Sequence, residues 1–285
     1  MLRSRLLSLL LASAALTPLL TARAEAAVQN YTSTLLTLNS LGQIQAGNGG
    51  AVLPQGFIGS TVFSTATATV DTTALTLRVR VNATGVEPGV PHVAHIHGNL
   101  AGGPLAIGSG AINSVLPTLA QDTDHDGFIE VAEGAPSYGP VLLELPNFAP
   151  NASGVVNYDM TFNLADPLTY APVSRFEPNG PHYGITDLLG TDLASLDLRH
   201  IVIHGLTVPF ALGNAGDAPN EVDGTTTFLP VCPQDCPGGI ADPFEATVAL
   251  PVANGEFIKA ASVPEPFSIA VLGVGLLGLG AIRRR

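Results

Sequence analysis

The chain has 285 residues, 23 acidic and 11 basic side chains, and a formal net charge of −12. A hydrophobic content of 46% excludes a disordered chain. So acidic a surface excludes a nucleic-acid binder and a protein drawn to anionic membranes, and it suits divalent cations.

The first 26 residues read as a secretory signal peptide. Arg3 and Arg5 form its basic start, Leu6 to Leu20 its apolar run, and Ala22-Arg23-Ala24 or Ala24-Glu25-Ala26 its small-x-small cleavage site. The expectation is export across the inner membrane. Many Gly and Pro (31 and 23), with abundant Val, Thr and Ala, predict short strands and frequent turns in the body of the chain, residues 27–262.

Thr32 to Leu38 is the first predicted strand. Gly42 to Gly59 reads as a loop and Thr61 to Val70 as a strand. After a turn at Asp71-Thr72-Thr73 comes the clearest alternation: Leu75, Leu77, Val79 and Val81 toward a core, Thr76, Arg78, Arg80 and Asn82 toward water. That is the pattern of a half-buried antiparallel strand, and with its predecessor it predicts a hairpin. The turn Glu87-Pro88-Gly89-Val90-Pro91 leads into His92-Val93-Ala94-His95-Ile96-His97-Gly98, which holds three of the seven histidines.

Further strands are predicted at Val141 to Leu145 and at Val155 to Leu164, the latter with Val156, Tyr158, Met160 and Phe162 on one face. Asp187 to Leu198 is the one predicted helix or long turn. Strands at Arg199 to Val208, Thr225 to Leu229, Phe244 to Leu250 and Glu256 to Ala260 complete the set. Short strands at turn-punctuated spacing predict an all-β fold, a Greek-key β-sandwich or barrel with long loop insertions.

Successive strand residues point to opposite faces, so His95 and His97 share one face and Ala94 and Ile96 the other. Two imidazoles on one face are half of a copper or zinc site. The stretch Arg199-His200-Ile201-Val202-Ile203-His204-Gly205 has a similar look, and Gly180-Pro181-His182-Tyr183 offers one more histidine. The candidate ligands are therefore His95, His97, His182 and His204. His92 and His200 read as surface or structural residues, although His200 shares a face with His204 and could take the place of His182.

With the hairpin before it, Ala94-His95-Ile96-His97-Gly98 resembles the CHRD domain, over roughly residues 33–208. The resemblance implies a β-sandwich module of largely unknown function. The order of the histidines is also similar to that of copper/zinc superoxide dismutases. In those enzymes a His-x-His strand gives two copper ligands, a later strand gives a third, and a Gly-Pro-His loop gives the bridging histidine. Here His95 and His97, His204 and His182 match in that order, which implies a copper-only, superoxide dismutase-like oxidoreductase as an alternative reading. The chain departs from those enzymes in lacking the zinc histidines. Arg175 and Arg199 stand as active-site arginine candidates by elimination.

Asp122-Thr123-Asp124-His125-Asp126-Gly127-Phe128-Ile129-Glu130-Val131-Ala132-Glu133 fits a twelve-residue calcium loop. Asp122, Asp124 and Asp126 supply carboxylates, Phe128 a carbonyl, Glu130 a water-mediated contact and Glu133 a bidentate carboxylate. Gly127 makes the sharp turn, and His125 points away. Pro117 before the loop, and Gly134 and Pro136 after it, predict no flanking helices. The reading is a lone calcium loop clamping an insertion near 117–140.

Cys232 and Cys236, the only two cysteines, predict a small disulfide loop in an oxidising compartment. The chain ends with Val263-Pro264-Glu265-Pro266, an apolar run over 267–282 and Arg283-Arg284-Arg285. This tripartite end, 263–285, resembles the PEP-CTERM sorting signal. The resemblance implies processing by an exosortase, a transient transmembrane segment at 267–282, and a final place on the cell surface or in extracellular matrix. Extracellular polysaccharide or surface proteins are the partners it implies.

Overall fold

In order along the chain, the strands are β1 (Val28–Thr37), β2 (Phe63–Asp71), β3 (Thr76–Thr84), β4 (Val93–His97), β5 (Asn99–Leu100), β6 (Ala111–Ile112), β7 (Val141–Glu144), β8 (Val156–Asn163), β9 (His200–Pro209), β10 (Phe228–Pro230), β11 (Phe244–Glu256) and β12 (Ile258–Lys259). The helices are α1 (Leu41–Gly47), α2 (Val131–Tyr138) and α3 (Ile185–Leu189). This computed structural model describes residues 28–50, 52–53, 55–123, 125–170, 183–209, 228–230 and 244–261. The signal peptide, the sorting signal, His182, Arg175, Asp124, Cys232 and Cys236 all lie outside the described residues.

The fold is all-β. Ten strands form one antiparallel sheet in the order β7-β4-β9-β11-β1-β2-β3-β8, with β10 beside β11 and β12 beside β1. The sheet curls so that its two halves face each other, joined where Leu36 and Thr37 of β1 pair with Asn254 and Ala253 of β11. β5 and β6 form a separate two-stranded ribbon.

The first half is built by the alternation legible in the sequence. Leu77, Val79, Val81 and Ala83 of β3 point inward, as do Ala66, Ala68 and Val70 of β2, and Thr65, Thr67, Arg78 and Arg80 point to water. Val156 and Phe162 of β8 are buried with them, and Tyr158 and Met160 pack at the margin. Leu75 departs from the expectation. It takes a positive φ of 51° in the turn before β3 and packs on the core only in part.

The second half differs because it is buried on both faces. In β4 every residue after Val93 is buried, and in β9 so are Ile201, Val202, Ile203 and His204. Ala94, Ile96, Ile201 and Ile203 join the core between the halves. The opposite face carries the histidines, and the end of the insertion between β6 and β7 meets it at His97.

Three local expectations are corrected. The stretch expected to be a loop after Gly42 contains α1, capped by the Ser40 side chain at the Gln43 amide. A Ser three residues before Gln is a capping-box signal that the glycine content obscured. The segment after the acidic loop forms α2 despite Gly134 and Pro136. Pro136 removes only one donor from a helix of eight residues, and Glu133 accepts the Glu130 amide at the helix start (3.2 Å). The helix expected over Asp187 to Leu198 is divided into α3 and a 3-10 turn at Leu196–Leu198. Gly190, with φ 73°, ends α3.

Candidate metal centre

β4 and β9 are antiparallel neighbours in a register that places Val93 opposite His204, His95 opposite Val202 and His97 opposite His200. Residues directly opposite in such a pair project to the same face. All four of these histidines therefore leave the sheet on one side, away from Ala94 and Ile96. His204 stands diagonal to His95, close enough for two rings to meet.

The structure brings His95, His97 and His204 together. One ring nitrogen from each lies within 4.8 Å of the others. The ring centroids are 5.2 Å apart for His95–His204, 5.6 Å for His95–His97 and 5.7 Å for His97–His204. The three residues are only 4%, 3% and 3% exposed. Such a buried triad of imidazoles could hold a metal ion, since neutral imidazole is a common metal ligand.

Electrostatics keep the His95 and His97 rings neutral. Burial pushes the His95 pKa well below its ordinary value, and the neighbouring His204 and His97 lower it further. His97 is lowered to about 3, by burial first and then by His204, while the Gly139 carbonyl opposes the shift. Neutral rings offer lone pairs at ordinary pH without competition from protons.

His97 shows how one donor atom is prepared. Its Nδ1 lies 2.9 Å from the Gly139 carbonyl oxygen, which can only accept, so Nδ1 carries the proton. Nε2 is then the lone-pair nitrogen, and it has no hydrogen-bond partner among the described residues. A carbonyl or carboxylate orienting a ligand's second nitrogen is what a metal site requires. Asp187 accepts the amides of Gly108 and Gly184 (3.0 Å for the latter), and Asp192 accepts from the Ala194 amide and the Ser195 hydroxyl of its own turn (both 3.1 Å).

The other histidines are placed differently. His200 lies opposite His97 but is not part of the triad: its Nδ1 meets Asn254 Oδ1 at 2.8 Å. His92 lies between two carbonyls, with Nδ1 3.0 Å from that of His204 and Nε2 2.8 Å from that of Glu87. It ties the start of β4 to the backbone that carries a ligand. Both are buried, and His200 Nε2 has no hydrogen-bond partner among the described residues.

Arg199 is not an active-site arginine. It is fully buried, and its guanidinium donates to the carbonyls of Leu188 (2.9 Å), Asn99 (3.0 Å) and Asp187. Burial lowers its pKa to about 10.

The residues that sequence reasoning missed are Tyr138 and Gly139, at the end of α2. Tyr138 is fully buried, and its ring stands edge-on to that of His97, 4.7 Å between centroids at 71°. A Tyr-Gly pair shortly before a strand gives no signal in one dimension. A cavity of about 450 Å³, lined by Phe57, Glu87, Gly205 and Thr207 among others, opens at one end of the sandwich, and no triad residue lines it.

The acidic loop leads into α2. Asp122 accepts the amides of His125 (2.8 Å) and Gly127 (3.0 Å), Asp126 that of Phe128 (2.7 Å), and Glu133 accepts from Thr123 Oγ1 (2.9 Å). Gly127, at φ 94°, lies against the Ile44 carbonyl of α1, where no other residue fits. Ile129 donates to Asn39 Oδ1 (2.7 Å) while Asn39 Nδ2 donates to its carbonyl (2.9 Å), so one amide side chain pairs with this residue as a neighbouring strand would.

No protein-family model matches the chain, and no curated protein matches it. Among the described residues no helix is long and apolar enough to cross a membrane.

Proposed function

We propose that this chain is an exported, surface- or matrix-sorted β-sandwich module whose histidine triad holds one copper or zinc ion in a structural role. The observation that carries this reading is the convergence of His95, His97 and His204 within 4.8 Å on a buried face. The donor set is all imidazole, which favours copper or zinc over magnesium or calcium. The centre is almost closed to solvent, which favours holding a metal over turning over a substrate. Metal analysis of the purified chain tests it. One equivalent in the wild type and none in His95→Ala/His97→Ala is expected, and equal content in the two rules it out.

The loop at Asp122 to Glu133 is proposed as a calcium site, through Asp122, Asp124, Asp126, Phe128, Glu130 and Glu133. Its spacing supports that reading, and millimolar calcium outside cells suffices for a weak site. Export, exosortase processing and a place in the extracellular matrix, with polysaccharide or surface proteins as partners, belong to the same proposal. They rest on the two terminal segments and on resemblance to the CHRD and PEP-CTERM patterns. The Cys232–Cys236 disulfide fits that setting.

The alternative, a copper superoxide dismutase-like activity, is favoured by one observation: the His-x-His strand and the later histidine strand are sheet neighbours. Against it stand the burial of the triad, the commitment of Arg199 to carbonyls and an acidic surface that repels an anionic substrate. A superoxide assay on copper-loaded protein separates the two.

A further inference from the structure

The metal reading leaves a question that the triad does not answer: what prepares its ligands, and what stands between them and solvent. His97 gives the clearest evidence. Its useful tautomer depends on a single carbonyl, that of Gly139. The direction of that carbonyl is imposed by the fold at three points. Gly139 is the C-terminal cap of α2, its amide donating to the Ala135 carbonyl at 2.7 Å. Its backbone, φ 84° and ψ −179°, lies in a region open essentially to glycine alone. A Cβ there would run into the carbonyl group of Gly98, the residue that follows His97 on the chain.

The next residues hold the same junction. Gly98 donates its amide to the Pro140 carbonyl (3.2 Å), and Asn99 Nδ2 donates to that of Ser137 (3.0 Å). The end of β4 and the end of α2 are thus fastened together on both sides of the Gly139–His97 bond. Tyr138 supplies the remaining wall. Its ring stands edge-on against that of His97, and its hydroxyl is buried with no hydrogen-bond partner among the described residues. Burying a hydroxyl unpaired is costly, so a tyrosine here is not chosen for stability.

We propose that the Tyr138–Gly139 turn is the positioning wall of the metal centre. Gly139 sets the His97 tautomer that presents Nε2 to the metal, and Tyr138 closes the ring face past which the ion enters and leaves. This inference rests on the reading of the triad as a copper or zinc site. Both residues act through His97 and are positioning residues. Loss of a partner that orients a metal ligand typically weakens affinity 10–100-fold.

The test uses the full chain, zinc alone as the probe, and nitrogen NMR of the histidine rings. Gly139→Ala is expected to weaken zinc binding roughly 10–100-fold. It is also expected to shift the His97 ring away from the Nδ1–H tautomer in the metal-free protein, a signature that general destabilisation would not produce. Should that variant fail to fold, Tyr138→Leu carries the test: zinc release to excess chelator is expected to accelerate at least about tenfold. Wild-type tautomer and zinc affinity in Gly139→Ala, or an unchanged release rate in Tyr138→Leu, overturns the inference and leaves the triad standing. A wild-type chain that takes up neither zinc nor copper overturns both.

Discussion

At the scale of single residues, the histidines carry a pH dependence whose sign follows from burial. The His97 pKa is lowered to about 3 from an ordinary 6.5, and that of His95 is lowered in the same direction. Below pH 6.5 the unfolded chain takes up protons that the folded chain refuses, so acid favours unfolding. The contribution is complete above pH 6.5 and is lost progressively as pH falls toward about 3. Metal-free protein is therefore expected to melt at steadily lower temperature between pH 7 and pH 4, and a His97→Gln variant to show a shallower slope. Arg199 supports a second residue-scale prediction. Its planar guanidinium reaches several carbonyls from one buried position, which an ammonium cannot do. Arg199→Lys is expected to cost on the order of 3 kcal/mol in urea unfolding, because buried carbonyls lose their donors.

At the scale of elements, the insertion between β6 and β7 carries the acidic loop and brings Tyr138 and Gly139 against His97. The acidic loop is fastened to α1 through Gly127 and to Asn39 through Ile129, and Glu133 joins its start to α2. An ion bound there stabilises the folded state by mass action. At a calcium concentration about a hundredfold above Kd the gain is about 2.7 kcal/mol. For a chain of this size that is a rise of roughly 5–10 °C in melting temperature. Calorimetry with and without calcium measures it, and Asp122→Ala is expected to abolish the rise. Asn39→Ala is expected to be destabilising even without calcium, since it unpairs Ile129 and removes a bond to the Pro251 carbonyl (2.9 Å).

At the scale of the whole molecule, charge and closure act together. A net charge of −12 raises the local concentration of cations and repels anions. The triad is buried, and Tyr138 and Gly139 of the insertion stand against His97. Loaded with copper, such a closed centre is expected to hold its ion against washing and to show no superoxide dismutation beyond that of free copper. Catalysis at the rate of a copper enzyme would instead require an open coordination position, and would make the alternative reading the correct one.

Much of this was legible in one dimension, and for one reason: strand geometry has a period of two. The alternation of Leu77, Val79 and Val81 with Arg78 and Arg80 fixed the faces of β3, and the same rule put His95 and His97 on one side of β4. What the sequence by itself determined was thus an all-β class, the half-site His95/His97 and the loop spacing from Asp122 to Glu133. Glycine and proline content misled it over α1 and α2, where caps a few residues away outweigh composition. Only the tertiary structure decided that His204 meets the half-site while His200, on the same face, turns to Asn254. Only it could show that His97 is oriented by the Gly139 carbonyl rather than by an aspartate. The register between β4 and β9 joins segments far apart in the chain, and a backbone carbonyl has no letter in the sequence. Local periodicity can assign a side chain to a face, but which partners share that face is settled by long-range pairing and by the course of the backbone.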